Sequence, residues 1–180
     1  GAVKDTYNLL ADGIGKLARV LAALAHTTLE EWAKQHQLER YFGSSLKGEA
    51  PIDWDNPKAR QQLLTAIVAD ADRLLEMARQ MLTSAAPDGA EHQELTKAAD
   101  LLTQLLLQDV ERGPAGTPDG ARLKEGVAAD RIVSVHDPEM RHGRKSAAKR
   151  FDGHKVAVAV DPESELITAA TVLAGNAPDN

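Results

Sequence analysis

The spacing of apolar residues changes once along this chain, and that change limits its possible folds more than any other feature. Before residue 113, apolar residues recur every three or four positions, which is typical of amphipathic helices. After residue 120 the period falls to two, which is typical of β-strands. Residues 113–120 between them are rich in Gly and Pro and read as a linker or long loop. We therefore predict an α+β chain, with a helical bundle at residues 1–127 and a β-rich part at residues 128–180.

Two long amphipathic helices are predicted between residues 57 and 111. Asn56 precedes Pro57, which suits a helix start because Asn can accept from free N–H groups and Pro fits the first turn. An apolar stripe follows, and residues 87–89 interrupt it before a second stripe, for which Asp88 with Glu91 is a candidate cap. We expect an antiparallel hairpin whose stripes form a core. The stripes consist of Leu63, Leu64, Ile67, Val68, Ala71, Leu74, Leu75, Ala78 and Met81, then Leu95, Ala98, Ala99, Leu102, Leu105, Leu106 and Val110.

The part before residue 56 is predicted to hold a long helix, a short helix and a loop. Apolar residues recur at helical spacing over residues 9–25, although Gly13 and Gly15 weaken the middle of this stretch. Thr28 and Glu31 fit a capping box, so a second helix should begin there. Residues 41–55 read as loop. The aromatic residues near it are expected to pack the loop down, and stacking on a nucleic-acid base is the alternative: Trp32, Tyr41, Phe42 and Trp54.

Three strands in an antiparallel meander are predicted for the second part, near residues 131–136, 154–161 and 165–173. The first is short, and the second alternates Val with Ala. Asp161-Pro162 reads as the start of a turn, because Pro suits the second position of a β-turn. The last two strands therefore form a β-hairpin.

The composition excludes several classes of protein. Cysteine is absent, which excludes disulfides, thiolate metal sites and a cysteine nucleophile, and suits a reducing, cytoplasmic location. No apolar run reaches the roughly 18–20 residues that a membrane span requires, so no membrane partner is expected. The chain begins at Gly1 without Met, and its last residues directly follow a predicted strand. We therefore expect an interior piece of a longer protein.

Basic residues are concentrated in one segment. The formal net charge is −6, yet residues 141–155 hold six basic residues and one acidic residue, Asp152. Such a segment can contact phosphates through its cations and a hydroxyl group, and the alternative is a solvated surface loop. The candidate DNA-binding residues are Arg141, Arg144, Lys145, Ser146, Lys149, Arg150 and Lys155.

Acidic residues and histidines lie beside this segment without forming a metal motif. Asp137 and Glu139 could ligate Mg²⁺ through carboxylate oxygens, but Asp-Pro at a strand end more often starts a turn. His136, His142 and His154 flank the same region, and their spacing matches no zinc pattern. We predict no metal site from these residues.

Several short motifs between residues 130 and 180 form one ordered set. In chain order they are Asp137-Pro138 with Arg141 after it, Gly143 and Lys145, Phe151-Asp152-Gly153-His154-Lys155, Asp161 with Ile167, and Ala174-Gly175-Asn176-Ala177-Pro178-Asp179. The whole set resembles a stretch of bacterial insertion-sequence transposases of the DDE superfamily. In that family an aromatic-x-Gly-Tyr-Lys motif leads into a strand, and here His154 stands in place of the Tyr.

The front of the chain is similar to the same family. Residues 2–6 (AVKDT) look like the residues just after the first catalytic Asp of the family. Residues 52–60 (IDWDNPKAR) resemble the start of a helical insertion in one subgroup, and residues 108–111 (QDVE) look like its end. The resemblance therefore covers nearly the whole chain.

The resemblance implies a ribonuclease-H-like core that cuts and joins transposon ends. In the family, three acidic residues hold two Mg²⁺ or Mn²⁺ ions for phosphodiester transfer. None of the three matches a residue here, because the first is expected before Gly1 and the other two after Asn180. Asp137, Asp161 and Asp179 match other positions of the family. We therefore expect no catalytic residue, no specific metal binding and no activity from this chain alone. DNA and, in the full-length protein, further copies of the same chain are the implied partners.

Two other interpretations stay open. The helical hairpin of residues 57–111 could be an interaction module that binds a protein partner. The chain could also be a decayed transposase remnant without activity.

Overall fold

The computed structural model of the chain describes residues 2–84, 89–113, 120–126, 130–144, 150–160 and 167–177. The fold is α+β, as predicted, and it divides into a helical unit, Gly1–Glu125, and a β unit, Gly126–Asn180. The helices are α1 (Ala2–Leu24), α2 (Leu29–His36), a 3-10 turn (Glu39–Tyr41), α3 (Leu46–Glu49), α4 (Pro57–Ser84) and α5 (Ala90–Asp109). The strands are β1 (Val110–Glu111), β2 (Arg122–Leu123), β3 (Arg141–Arg144), β4 (Arg150–Val160) and β5 (Ile167–Ala174).

The core of the helical unit lies between α1, α4 and α5, which contact one another pairwise. The apolar stripes predicted for α4 and α5 supply most of their buried residues, which confirms their assignment to a core. The largest buried side chains from the three helices are Tyr7, Leu10, Ile14, Leu17, Leu21, Leu64, Ile67, Leu74, Leu95, Leu102 and Leu105. Removing these side chains from water is the main stabilising contribution to the unit.

α1 is continuous through Gly13 and Gly15, which the sequence suggested as weak points. A Cβ atom at Gly13 would lie 2.8 Å from Leu105 Cδ1 and 3.2 Å from Leu102 Cδ1. The missing side chain therefore lets α5 approach α1 closely. The packing gained at this crossing offsets the low helix propensity of glycine.

The predicted helix starts at Thr28 and Asn56 are confirmed. The hydroxyl of Thr28 accepts from the Glu31 N–H at 3.2 Å. Asn56 Oδ1 accepts from the N–H groups of Lys58 and Ala59 at 3.0 and 3.3 Å. The proposed cap Asp88 lies outside the described residues, and α5 begins after Gly89.

The Gly- and Pro-rich segment connects two paired strands of the helical unit. Val110 pairs with Leu123, and Glu111 pairs with Arg122. The side chain of Lys124 also donates to the Leu107 carbonyl at 2.6 Å. This short ribbon was not predicted, because its two strands are too short to show a period.

The β unit contains an antiparallel meander in the order β3-β4-β5. The prediction of a strand near residues 131–136 is wrong, because these residues form no strand. The hydroxyl of Ser134 instead accepts from the N–H groups of His136 and Asp137 at 3.2 and 3.3 Å, which bends the chain into a turn. Ile132 and Val135 are buried, so the apolar residues of this segment serve packing rather than strand pairing.

The other two strands are present with different limits. β4 begins at Arg150 rather than near residue 154, because its first residues pair with β3. β5 covers Ile167–Ala174 and pairs with β4 from His154↔Ala174 to Val160↔Ile167, with an irregularity at Ala159/Val160. The predicted turn at 161–164 lies outside the described residues.

Candidate nucleic-acid interface

The basic segment forms a β-hairpin, with β3 paired to the first residues of β4. Arg141 pairs with Gly153, His142 with Asp152, Gly143 with Phe151, and Arg144 with Arg150. The backbones of two candidate residues, Arg144 and Arg150, thus lie directly opposite each other at the end of the ladder. Three further candidates, Lys145, Ser146 and Lys149, belong to the connection 145–149, which lies outside the described residues.

Two of the candidate cations bind backbone carbonyls. The guanidinium of Arg141 donates to the carbonyl oxygens of Pro138 and Met140. The ammonium of Lys155 donates to the Ala177 carbonyl at 2.5 Å and is half-buried. Both side chains therefore stabilise the β unit. Arg141 has further N–H groups that can contact an anion, since a guanidinium carries five.

Close backbone packing holds the base of the hairpin against the end of β5. A Cβ atom at Gly143 would overlap the Gly175 carbonyl oxygen and would lie 2.5 Å from Phe151 Cζ. Only glycine fits at this position without movement of its neighbours. The glycine of the sequence motif is therefore explained by packing.

The side chains of Asp137 and His154 form a hydrogen-bonded pair beside the hairpin. The two side chains meet at 2.8 Å, between His154 Nε2 and Asp137 Oδ2, and both are partly exposed. The hydrogen bond to His154 is the main reason why the pKa of the Asp137 carboxyl lies below its usual range. Both residues lie in the polar region around the basic segment, and no sequence pattern predicts that they pair.

The carboxylate of Asp137 also organises the turn in front of β3. Its Oδ1 accepts from the Glu139 N–H at 3.2 Å, and its backbone carbonyl accepts from the Met140 N–H at 3.1 Å. This is the turn-forming role that Asp before Pro commonly has.

The resemblance implies Mg²⁺ or Mn²⁺ ions, but the described part of the chain has no group of side chains that would ligate them. No three His, Cys, Asp or Glu side chains come together there as a divalent ion would require. The Asp137 carboxylate is occupied by His154 and the turn, and Glu139 is exposed. No chemical step is therefore assigned to a metal at these residues.

The aromatic residues near the loop of the helical unit pack as predicted. Trp32 and Tyr41 are buried, and Trp54 makes an edge contact with Tyr7 at 5.3 Å between ring centres. The Tyr7 hydroxyl donates to the Arg60 carbonyl at 2.8 Å, which ties α1 to α4. These contacts favour packing over base stacking for Trp32, Tyr41 and Trp54.

No protein-family model, no curated protein and no solved structure matches the chain. Within the described residues, no helix has both the length and the apolar content needed to cross a bilayer. The observations that bear on function are therefore the geometry of the β3–β4 hairpin and the sequence motifs of residues 130–180.

Proposed function

We propose that this chain is part of a DDE-type insertion-sequence transposase and that its β3–β4 hairpin contacts the phosphate backbone of DNA. The strand register carries this proposal, because it brings the backbone positions of two arginines, Arg144 and Arg150, opposite each other. Two arginines at paired positions concentrate positive charge at one end of the ladder, which favours an anionic partner. A DNA phosphate is a counter-charge of the right sign.

The distribution of charge supports the same assignment. The whole chain has a net charge of −6, and six basic residues lie between residues 141 and 155. An acidic protein is repelled by DNA except where its surface is locally basic, so contact is expected at this hairpin. Lys145 and Lys149 would extend the basic region through the connection between β3 and β4.

The proposal assigns DNA binding to this chain and no strand cleavage. In the resembling family the chemistry belongs to three acidic residues with two bound ions, and none of the three matches a residue here. We expect the purified chain to release no cleaved or joined DNA with Mg²⁺ or Mn²⁺. Metal-dependent cleavage that follows the chain through purification would contradict this placement of the active site.

Salt dependence of binding is the direct test. We expect the double variant Arg144→Ala, Lys145→Ala to bind duplex DNA more weakly. The negative slope of log affinity against log salt concentration should become shallower by about 2, or about 1 per lost phosphate contact. The matched control is Arg79→Ala with Lys97→Ala, which removes the same charge from exposed positions on α4 and α5. The control should leave the slope nearly unchanged. Equal slopes for the wild type and the hairpin variant would refute the proposal.

The alternative of a helical interaction module has less support. The apolar stripes of α4 and α5 are buried in the helical unit, where they pack with α1. A partner that bound through these stripes would have to displace α1.

A further inference from the structure

One side-chain pair of the described residues connects the turn before β3 to β4. The turn at residues 134–140 has its own internal hydrogen bonds, in which the Ser134 hydroxyl and the Asp137 carboxylate accept from backbone N–H groups. These bonds shape the turn but do not attach it to the sheet. The 2.8 Å contact between Asp137 and His154 does attach it, because His154 belongs to β4.

The pair lies directly beside the first residue of the arginine-bearing strand. Arg141 begins β3 and pairs with Gly153, the neighbour of His154. The guanidinium of Arg141 also donates back to the turn at Pro138. A movement of the turn would therefore be transmitted to the start of β3.

We infer that Asp137 and His154 are a positioning pair, which locks the turn onto β4 and sets the placement of the β3–β4 hairpin for phosphate binding. Its consequence for DNA binding rests on the function proposed above. Neither side chain needs to touch DNA, so both are positioning residues.

Changing the pH can test the pair, because histidine is the side chain whose charge state changes most readily near neutral pH. Asp137 stays ionised at neutral pH, since its pKa is held below the usual value, and its contribution is lost only as acid pH falls through that lowered pKa. Protonation of the imidazole would convert the hydrogen bond to the Asp137 carboxylate from one charged partner to an ion pair with two. Among the described residues of the adjoining elements, the turn carries His136 and Glu139, β3 carries Arg141, His142 and Arg144, β4 carries Arg150, Asp152 and Lys155, and β5 carries no charged residue.

The first measurement needs no DNA. Amide protection factors at Glu139 and Met140, corrected for intrinsic exchange rates, should rise about fivefold between pH 8 and pH 5.5, since an ion pair with a carboxylate is stronger than a hydrogen bond from a neutral donor to it. His154→Gln should abolish the rise, because Gln keeps a donor near the position of Nε2 but does not titrate. His136→Gln should keep it, since His136 is an exposed histidine of the same turn.

The second measurement is the affinity of the same full-length chains for duplex DNA at the two pH values. His154→Gln should bind like the wild type at pH 8 and gain less affinity at pH 5.5, whereas His136→Gln should gain as much as the wild type. Asp137→Asn should weaken binding at both pH values.

The outcomes separate this inference from the proposed function. Protection factors that do not change with pH, or that change equally in His154→Gln, would overturn the positioning pair whatever the DNA result. A pH-dependent rise that His154→Gln removes, in a chain that binds no DNA at any salt concentration, would support the pair and refute the proposed function. Circular dichroism of each variant, read on the helical unit, checks that the chain is folded.

Discussion

Asp70 brings three polar side chains together in the described part of the helical unit. Its carboxylate accepts from Arg40, from the Tyr41 hydroxyl at 2.7 Å and from Arg73 at 2.9 Å. Burial, followed by the bond to Asp70, raises the pKa of the Tyr41 hydroxyl, which therefore remains a protonated donor. Arg73 also donates to the His36 carbonyl at 3.0 Å, so this network ties α2 and the 3-10 turn to α4.

Removal of Asp70 should cost more stability than removal of its near neighbour Asp72. Asp70→Ala leaves the buried Tyr41 hydroxyl and two guanidinium groups without their acceptor, and we expect a loss of about 1–3 kcal/mol in unfolding free energy. Asp72 pairs with Arg112 at 2.6 Å, but the two side chains are 45% and 54% exposed, so Asp72→Ala should cost less than about 1 kcal/mol. Urea unfolding of both variants measures the difference. Equal losses would show that the Asp70 network contributes no more than a surface ion pair.

Glu76 offers a residue-scale test of electrostatics on the exposed face of α4. Hydrogen bonds from Arg79, and then from Gln80, lower the pKa of Glu76 to about 2. Its stabilising contribution is therefore present above the ordinary carboxyl pKa and is lost as pH falls toward 2. In an NMR titration, Arg79→Ala should raise this pKa toward its ordinary value by more than Gln80→Ala does. The opposite order would mean that Gln80 is the main partner.

At the scale of the element, α1 shows how two glycines of one helix can have different roles. Gly13 faces Leu105 and Leu102 of α5, whereas a Cβ atom at Gly15 would meet its nearest neighbour, Arg19 Nη1, at 3.4 Å. Gly15→Ala should raise the unfolding free energy by about 0.5–1 kcal/mol through helix propensity. Gly13→Leu should lower it by about 1–3 kcal/mol through overpacking at the helix crossing. Thermal unfolding followed by circular dichroism checks both signs. A stabilising Gly13→Leu would contradict the close approach of α1 and α5.

β3 shows where sequence reasoning failed at the same scale. Arg141-His142-Gly143-Arg144 contains no apolar residue, so it has no alternation from which a strand could be predicted. It becomes a strand because β4 continues beyond β5 to Arg150 and offers an unpaired edge. Residues 131–136 had the composition of a strand but are bent by the Ser134 hydroxyl. Strand pairing, which is not local, decided the first case, and a side-chain hydrogen bond that competes with strand formation decided the second.

At the scale of the whole molecule, the two units differ in how well they bury their apolar residues. The helical unit buries most of the large apolar side chains of its three long helices, with Leu107 an exception at 68% exposed. In the β unit, Val156 and Val172 face each other across β4 and β5 and are 63% and 66% exposed. Small sheets without a covering layer are marginally stable in water.

We therefore expect the two units to behave differently when they are expressed separately. Residues 1–125 should keep their helical circular dichroism and unfold cooperatively. Residues 126–180 should show little cooperative unfolding alone, because the meander buries too little apolar surface. A piece of residues 1–109, which lacks β1, β2 and the ion pair of Arg112, should melt below the piece of residues 1–125. A cooperative unfolding transition in residues 126–180 alone would contradict the expectation that this unit is unstable by itself.

By itself, the sequence determined the α+β class, the stripes that form the helical core, the helix starts at Thr28 and Asn56, and the location of the basic segment. These properties are local, since a period or a cap is contained in neighbouring residues. Only the tertiary structure decided that β3 pairs with β4, that Gly13 admits α5, that Arg141 and Lys155 bind carbonyls, and that His154 meets Asp137. Each of these contacts joins groups whose proximity depends on the path of the whole chain, and no local pattern encodes that path.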